Sequence, residues 1–166
     1  MYFLRGSILH KIKTMKRSGL FFCFMITTLV LSAQSNPFGF TFNHQALSVK
    51  DLSRSAEFYK KVLALEQITN RTQNPGIIWF SLGEGKELHL VSTIKEEVKI
   101  NKAVHIAITS PNFDAFVQHL EKNKIVYSDW PGKLNTITIR PDGIKQIYIQ
   151  DPDGYWIEIN SVAVKQ

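Results

Sequence analysis

The apolar residues of this chain trace one order of elements, strand–helix–strands, and then trace it again. Phe40 to Val49 is rich in β-formers and reads as a strand. Asp51 is placed to cap a helix in which Leu52, Ala56, Tyr59 and Val62/Leu63 recur at helical spacing. The turn Asn74-Pro75-Gly76 leads into a strand at Ile77 to Leu82, and Gly83-Glu84-Gly85-Lys86 turns the chain into another at Leu88 to Thr93. A polar, Lys/Glu-rich stretch from Lys95 to Lys102 follows, and the order restarts. Ala103 to Thr109 reads as a strand, and Pro111-Asn112 opens a helix with Phe113, Phe116, Val117 and Leu120 on one face. Further strands are expected at Ile125 to Tyr127, Thr136 to Ile139, Lys145 to Gln150 and Trp156 to Asn160. Asp151-Pro152-Asp153-Gly154 makes the tight turn before the last one, with Gly154 able to take a positive φ. The halves also match weakly at residue level. His44-Gln45-Ala46 parallels His105-Ile106-Ala107 at an offset of 61, and Leu88-His89-Leu90 parallels Ile157-Glu158-Ile159.

What precedes the first strand reads differently. Residues 1–19 are basic, Leu20 to Leu31 is almost wholly apolar, and small residues follow at Ser32, Ala33 and Ser35. Those are the parts of a secretory signal peptide, with cleavage after Ala33 or Ser35 and a possible true start at Met15. The apolar run is shorter than the roughly 20 residues of a membrane-spanning helix. Residues 1–35 are therefore expected to leave, giving a periplasmic or secreted protein with no stable membrane insertion after cleavage. The chain carries 20 Lys plus Arg against 14 Asp plus Glu, but five of the cations and none of the acids lie in that leader. The rest is close to neutral, which argues against nucleic acid as a partner. The lone cysteine, Cys23, also falls in the leader, so neither a disulfide scaffold nor a cysteine zinc cluster is expected.

Strand alternation sorts the polar side chains. His44, Ala46 and Ser48 share one face of their strand, and His105, Ala107 and Thr109 share one face of theirs. His89 opposes Leu88 and Leu90, while Glu158 opposes Ile157 and Ile159. If the aliphatic faces lie under the helices, the His/Glu faces are left for a cavity. Three imidazoles and a carboxylate, His44, His89, His105 and Glu158, make a plausible shell for a divalent ion such as Zn²⁺ or Ni²⁺, with Co, Mn or Fe as other candidates. His119 is expected to be solvated, and Gly83-Glu84-Gly85 lacks the spacing of a phosphate loop.

The segment His44-Gln-Ala-Leu-Ser-Val-Lys-Asp-Leu, with Ser55, Phe58-Tyr59 and Val62-Leu63 after it, resembles the opening of vicinal-oxygen-chelate proteins. That superfamily includes glyoxalase I, fosfomycin-resistance enzymes, extradiol dioxygenases and bleomycin-resistance proteins. His105-Ile-Ala-Ile is similar to its second opening, and Gln150-Asp-Pro-Asp-Gly-Tyr-Trp-Ile-Glu158-Ile to the closing motif of glyoxalase I. The resemblance implies an α+β fold of two βαβββ modules, residues 36–94 and 103–166 joined by a linker at 95–102, whose curved mixed sheets surround a metal. It implies ligands at His44, His89, His105 and Glu158, and a homodimer. The implied activity is that of a metal-dependent lyase or isomerase acting on a small oxygen-chelating substrate through an enediolate, with Glu158 and His89 as the candidate catalytic bases. Three positions depart from glyoxalase I. His89 stands where it usually has Glu, Ser48 where it has Arg, and Thr93 where it has Asn, which speaks against a glutathione adduct as substrate. Extradiol ring opening, epoxide opening and ligand sequestration of the bleomycin-resistance type are the alternative readings.

Overall fold

The computed structural model describes residues 38–93, 96 and 98–163, so the expected signal peptide lies outside the described residues. The chain divides into two units, residues 1–40 and 41–166. Of the first, only residues 38–40 are described, with the exposed rings of Phe38 and Phe40 centred 5.6 Å apart. No helix among the described residues is long and apolar enough to cross a membrane.

The second unit repeats one topology. Its first half contains β1 (His44–Ser48), α1 (Leu52–Lys61), β2 (Gln67–Ile68), β3 (Ile77–Gly83) and β4 (Lys86–Val91). Its second half contains β5 (His105–Thr109), α2 (Phe113–Lys122), β6 (Thr138–Ile139), β7 (Lys145–Gln150) and β8 (Trp156–Asn160). The two sheets have the orders β1-β4-β3-β2 and β5-β8-β7-β6. In each, the first strand pairs in parallel with the last, and the remaining pairs are antiparallel. The chain is thus an α+β protein of two βαβββ modules. The parallel pairing matters most for function, because it sets His44 opposite Glu87 and Ala107 opposite Glu158. It also leaves β1 and β5 as open sheet edges.

Local chemistry explains the helices. The Asp51 side chain accepts from the Arg54 amide at 3.0 Å, capping α1, and Lys60 and Lys61 sit in its last turn where the helix dipole favours cations. Ala56 and Tyr59 are buried with Leu47, Val49, Phe80, Leu88 and Leu90, while Phe113, Val117 and Leu120 of α2 are buried with Ile147, Ile149, Ile157 and Ile159. The aliphatic faces therefore do lie under the helices.

The closing turn docks the modules together. Asp151 is 6% exposed; its Oδ1 accepts from the amides of Asp153 and Tyr155, and its Oδ2 accepts from the Tyr59 hydroxyl of α1 at 2.8 Å. Asp153 accepts from the Lys50 amide and the Ser55 hydroxyl, and the Tyr155 hydroxyl donates to the Ser48 carbonyl. Gly154 takes φ 90°, as the turn requires. The aspartates of the closing motif thus join modules and stand apart from the chemistry. Burial and the Asp151 carboxylate push the Tyr59 hydroxyl far above its ordinary pKa, so it remains a donor throughout the working range. Tyr59→Phe should cost about 1–3 kcal/mol, the range for a buried acceptor losing its donor, read from the shift in urea midpoint at unchanged slope.

One expected strand is absent and one unexpected strand is present. Ile125 to Tyr127 forms no strand: Lys124 takes φ 56°, and only Ser128 bridges, to Leu134 and to Tyr148. Ile125 and Tyr127 pack on the core, Tyr127 at 4% exposure, while Val126 between them is exposed. β2, unmarked in the sequence, is a two-residue ladder of Gln67 and Ile68 against Phe80 and Trp79. Such a strand is too short to carry a period.

Candidate metal and substrate site

Two clusters line the faces turned away from the helices. On the second module, β5 and β8 bring His105 Nε2 within 3.4 Å of Glu158 Oε2. His105 Nδ1 donates to the Lys102 carbonyl at 2.9 Å, and because a carbonyl only accepts, the neutral ring presents a lone pair at Nε2. Glu158 is 8% exposed, and both its oxygens are held. The Tyr148 hydroxyl donates to Oε2 at 2.6 Å and the Asn160 amide to Oε1 at 2.9 Å, with Thr109 donating in turn to Asn160. Burial first, and Glu158 beside it, push the Tyr148 hydroxyl well above its ordinary range, keeping it a donor.

In the neutral form of the ring, two lone-pair-bearing atoms face each other across 3.4 Å. Two ligands bound about 2.1 Å from one tetrahedral ion stand roughly 3.4 Å apart. The pair matches that requirement in donor type, tautomer and spacing.

Lys102 frames this cluster. Its ammonium lies 4.6 Å from the Tyr148 ring centre and 4.7 Å from that of Trp156, and it donates to Ser128 Oγ and to the carbonyls of Asp129 and Trp130. Burial lowers its pKa. Every N–H of the group has an acceptor, so the lysine fixes the loop beside His105 while its own carbonyl sets the His105 tautomer. A cavity of about 720 Å³ runs along the open edge of β5 from His105 to Thr109, bounded by Gln45 and the β3–β4 turn.

On the first module the rings of His44, His89 and Trp79 form a stack. His89 is 4.3 Å from His44 at 16° and 4.1 Å from Trp79 at 6°, and the Arg71 guanidinium covers the far side of Trp79 at 4.4 Å. Glu87, 8% exposed, accepts from His89 Nε2 at 2.8 Å through one oxygen and from Arg71 at 2.7 Å through the other. Those two bonds hold the Glu87 carboxyl below the ordinary carboxylate range. His44 is exposed, with Nδ1 on Asn43 Oδ1 at 2.7 Å.

The four candidate ligands thus stand as two pairs, His44 with His89 and His105 with Glu158. Among the described residues, no three His, Cys, Asp or Glu side chains come together as an ion-binding group. Sequence reasoning missed Glu87, Tyr148 and Asn160 as functional partners. Glu87 was findable, because it lies two residues before His89 and so on the same strand face. His119, expected to be solvated, is half-buried and stacked on Phe116 with a 6.2 Å ring separation.

Comparison with known proteins agrees with this architecture. Residues 41–159 match the model of the Glyoxalase/Bleomycin resistance protein/Dioxygenase superfamily, and the chain belongs to that superfamily. It is 30% identical over 132 residues to metallothiol transferase FosB of Staphylococcus epidermidis, covering 74% of this chain and 82% of that protein. It is also 30% identical over 122 residues to the uncharacterized protein YwbC of Bacillus subtilis, covering 70% and 93%. Among solved structures, lactoylglutathione lyase from Agrobacterium tumefaciens aligns at TM-score 0.56 and 21% identity, over 74% of this chain and 93% of that one. Oxidase ChaP-H1 aligns at TM-score 0.61 and 20% identity, over 75% and 97%. At these identities the solved structures speak for the fold alone.

Proposed function

We propose that this chain is an exported, metal-dependent enzyme of the glyoxalase type, a lyase or isomerase that acts on a small molecule offering two adjacent oxygens. The observation that carries the reading is the His105–Glu158 pair, whose nitrogen and oxygen stand 3.4 Å apart, the spacing of two ligands on one tetrahedral ion. His44 would be the third ligand, being exposed, on the corresponding strand of the other module, and with Nε2 free of any bond to Asn43.

A bound divalent ion would supply Lewis-acid polarisation of the substrate's oxygens. The protein's own residues do the rest. Tyr148 and Asn160 fix the Glu158 carboxylate, Lys102 fixes the His105 ring, and Trp130 lies edge-on to that ring at 6.1 Å between centres. A base takes the proton from the carbon beside the substrate's carbonyl, and the C–H electron pair shifts to give the enediolate. The base, which trades its proton with solvent, then protonates the neighbouring carbon, and the hydroxyl proton of the first carbon passes to the second oxygen. The metal-loaded protein should exchange that hydrogen for deuterium in heavy water, followed by NMR with 2-oxoaldehyde hemithioacetals and α-hydroxyketones. No exchange with any of them would remove the isomerase reading.

A second reading, thiol transfer to a metal-held electrophile, is favoured by the 30% identity to metallothiol transferase FosB. Thiol consumption with an epoxide, in place of hydrogen exchange, is its signature. In either case we propose a homodimer in which a second copy brings His44 to the His105–Glu158 pair. The open edges at β1 and β5 support this, since an unpaired edge invites another strand. Export rests on the basic and apolar runs of the leader.

A further inference from the structure

Resting on the metal-dependent reading above, we propose that Glu87 and His89 form a base dyad. Glu87 fixes the His89 ring with Nδ1 as its working atom, and His89 acts on the substrate's proton without joining the metal. Three observations carry this. The first is the stack. A ligand nitrogen aims its lone pair within the ring plane, so two rings on one ion must have planes that meet at that ion. The planes of His44 and His89 are 16° apart with centres 4.3 Å apart, and so meet on the order of 10 Å away, several times a zinc–nitrogen bond. His44 is exposed and has room to turn. His89 is held on both faces, by His44 and by Trp79.

The second observation is the hydrogen bond of His89 Nε2 to a carboxylate. That bond puts the proton on Nε2 and leaves Nδ1 as the basic atom. The third is Arg71, which ties the other oxygen of Glu87 and so stops the carboxylate from swinging away to act as a ligand itself. Face, tautomer and partner all agree. In the proton step, the Nδ1 lone pair takes the proton from carbon and the ring becomes an imidazolium stabilised by Glu87. The C–H pair forms the carbon–carbon double bond of the enediolate, and the proton is then returned from Nδ1. Contact with His44 would keep the dyad beside an ion held by that residue.

The test has two arms on the full chain. In the metal-free protein, the ¹⁵N shifts of His89 should report a protonated Nε2 and an unprotonated Nδ1. That preference should vanish in Glu87→Ala and persist in Glu87→Gln, which keeps an acceptor oxygen. In the Co²⁺-loaded protein, His89→Gln should retain the ion and its visible absorption band. Substrate hydrogen exchange should meanwhile fall by roughly 10²–10⁴-fold, the range for a lost general base. Glu87→Ala should lower kcat by about 10–100-fold with KM little changed, as expected for an outer partner. A protonated Nδ1 in the wild type, or a cobalt band altered by His89→Gln, would overturn the dyad. Failure of the metal reading would show separately, as wild-type protein that takes up no cobalt, and the NMR arm would still decide the dyad.

Discussion

Glu158→Ala is expected to yield a folded protein with little bound metal and no measurable turnover. The carboxylate sits at the centre of a chain of bonds from Gln146 through Tyr148 to Glu158, and from there through Asn160 to Thr109. Losing an outer partner of a metal site costs about 10–100-fold in affinity or activity, and loss of a ligand should exceed that. Tyr148 and Asn160 would also lose a buried acceptor, so thermal stability should be recorded beside metal content to separate the two effects. Turnover retained in Glu158→Ala would remove this residue from the mechanism and leave the His105 pairing without chemical meaning.

The second large effect concerns stability and lies far from the chemistry in role. Asp151→Ala should destabilise the protein by about 3 kcal/mol, since the buried Tyr59 hydroxyl and two half-buried amides lose their acceptor and a buried unpaired group costs about 1–3 kcal/mol. At this size the melting temperature should drop by roughly 10 °C or more. The pH dependence has a defined sign. Burial raises the Asp151 pKa above 3.8, against the opposing pull of its bonds from Tyr59, Tyr155 and Asp153. A folded-state pKa above the unfolded one gives stability that is complete below the unfolded value and is lost as pH rises through the folded one. The gap between wild type and Asp151→Ala should therefore be widest near pH 4 and narrower at pH 7. A gap that grows with pH would contradict the burial assigned to this carboxylate.

How much of this was legible in the sequence depends on the range of the interaction involved. Alternation along β4 and β8 put His89 and Glu158 on the faces away from the aliphatic core, and Leu88, Leu90, Ile157 and Ile159 are indeed buried. That reading needs only a period of two. The two-residue β2 and the bridge at Ser128 are set by tertiary pairing, which leaves no local signature. Glu87 was passed over because the expected strand began at Leu88, and its pairing with Arg71, 16 residues earlier in the chain, leaves no local signal. The stacking of His44 on His89, which bears on the number of ligands, follows from the β1–β4 register. Two histidines on one face suggest two ligands; only the ring planes argue otherwise.

The most direct test of the account is the metal content of the purified protein by elemental mass spectrometry, beside His105→Ala and His89→Gln. The account predicts close to one divalent ion per chain in the wild type, lost in His105→Ala and kept in His89→Gln. Protein that cannot be loaded with Zn²⁺, Ni²⁺, Co²⁺, Mn²⁺ or Fe²⁺ would contradict it, and a sequestering role without chemistry would take its place.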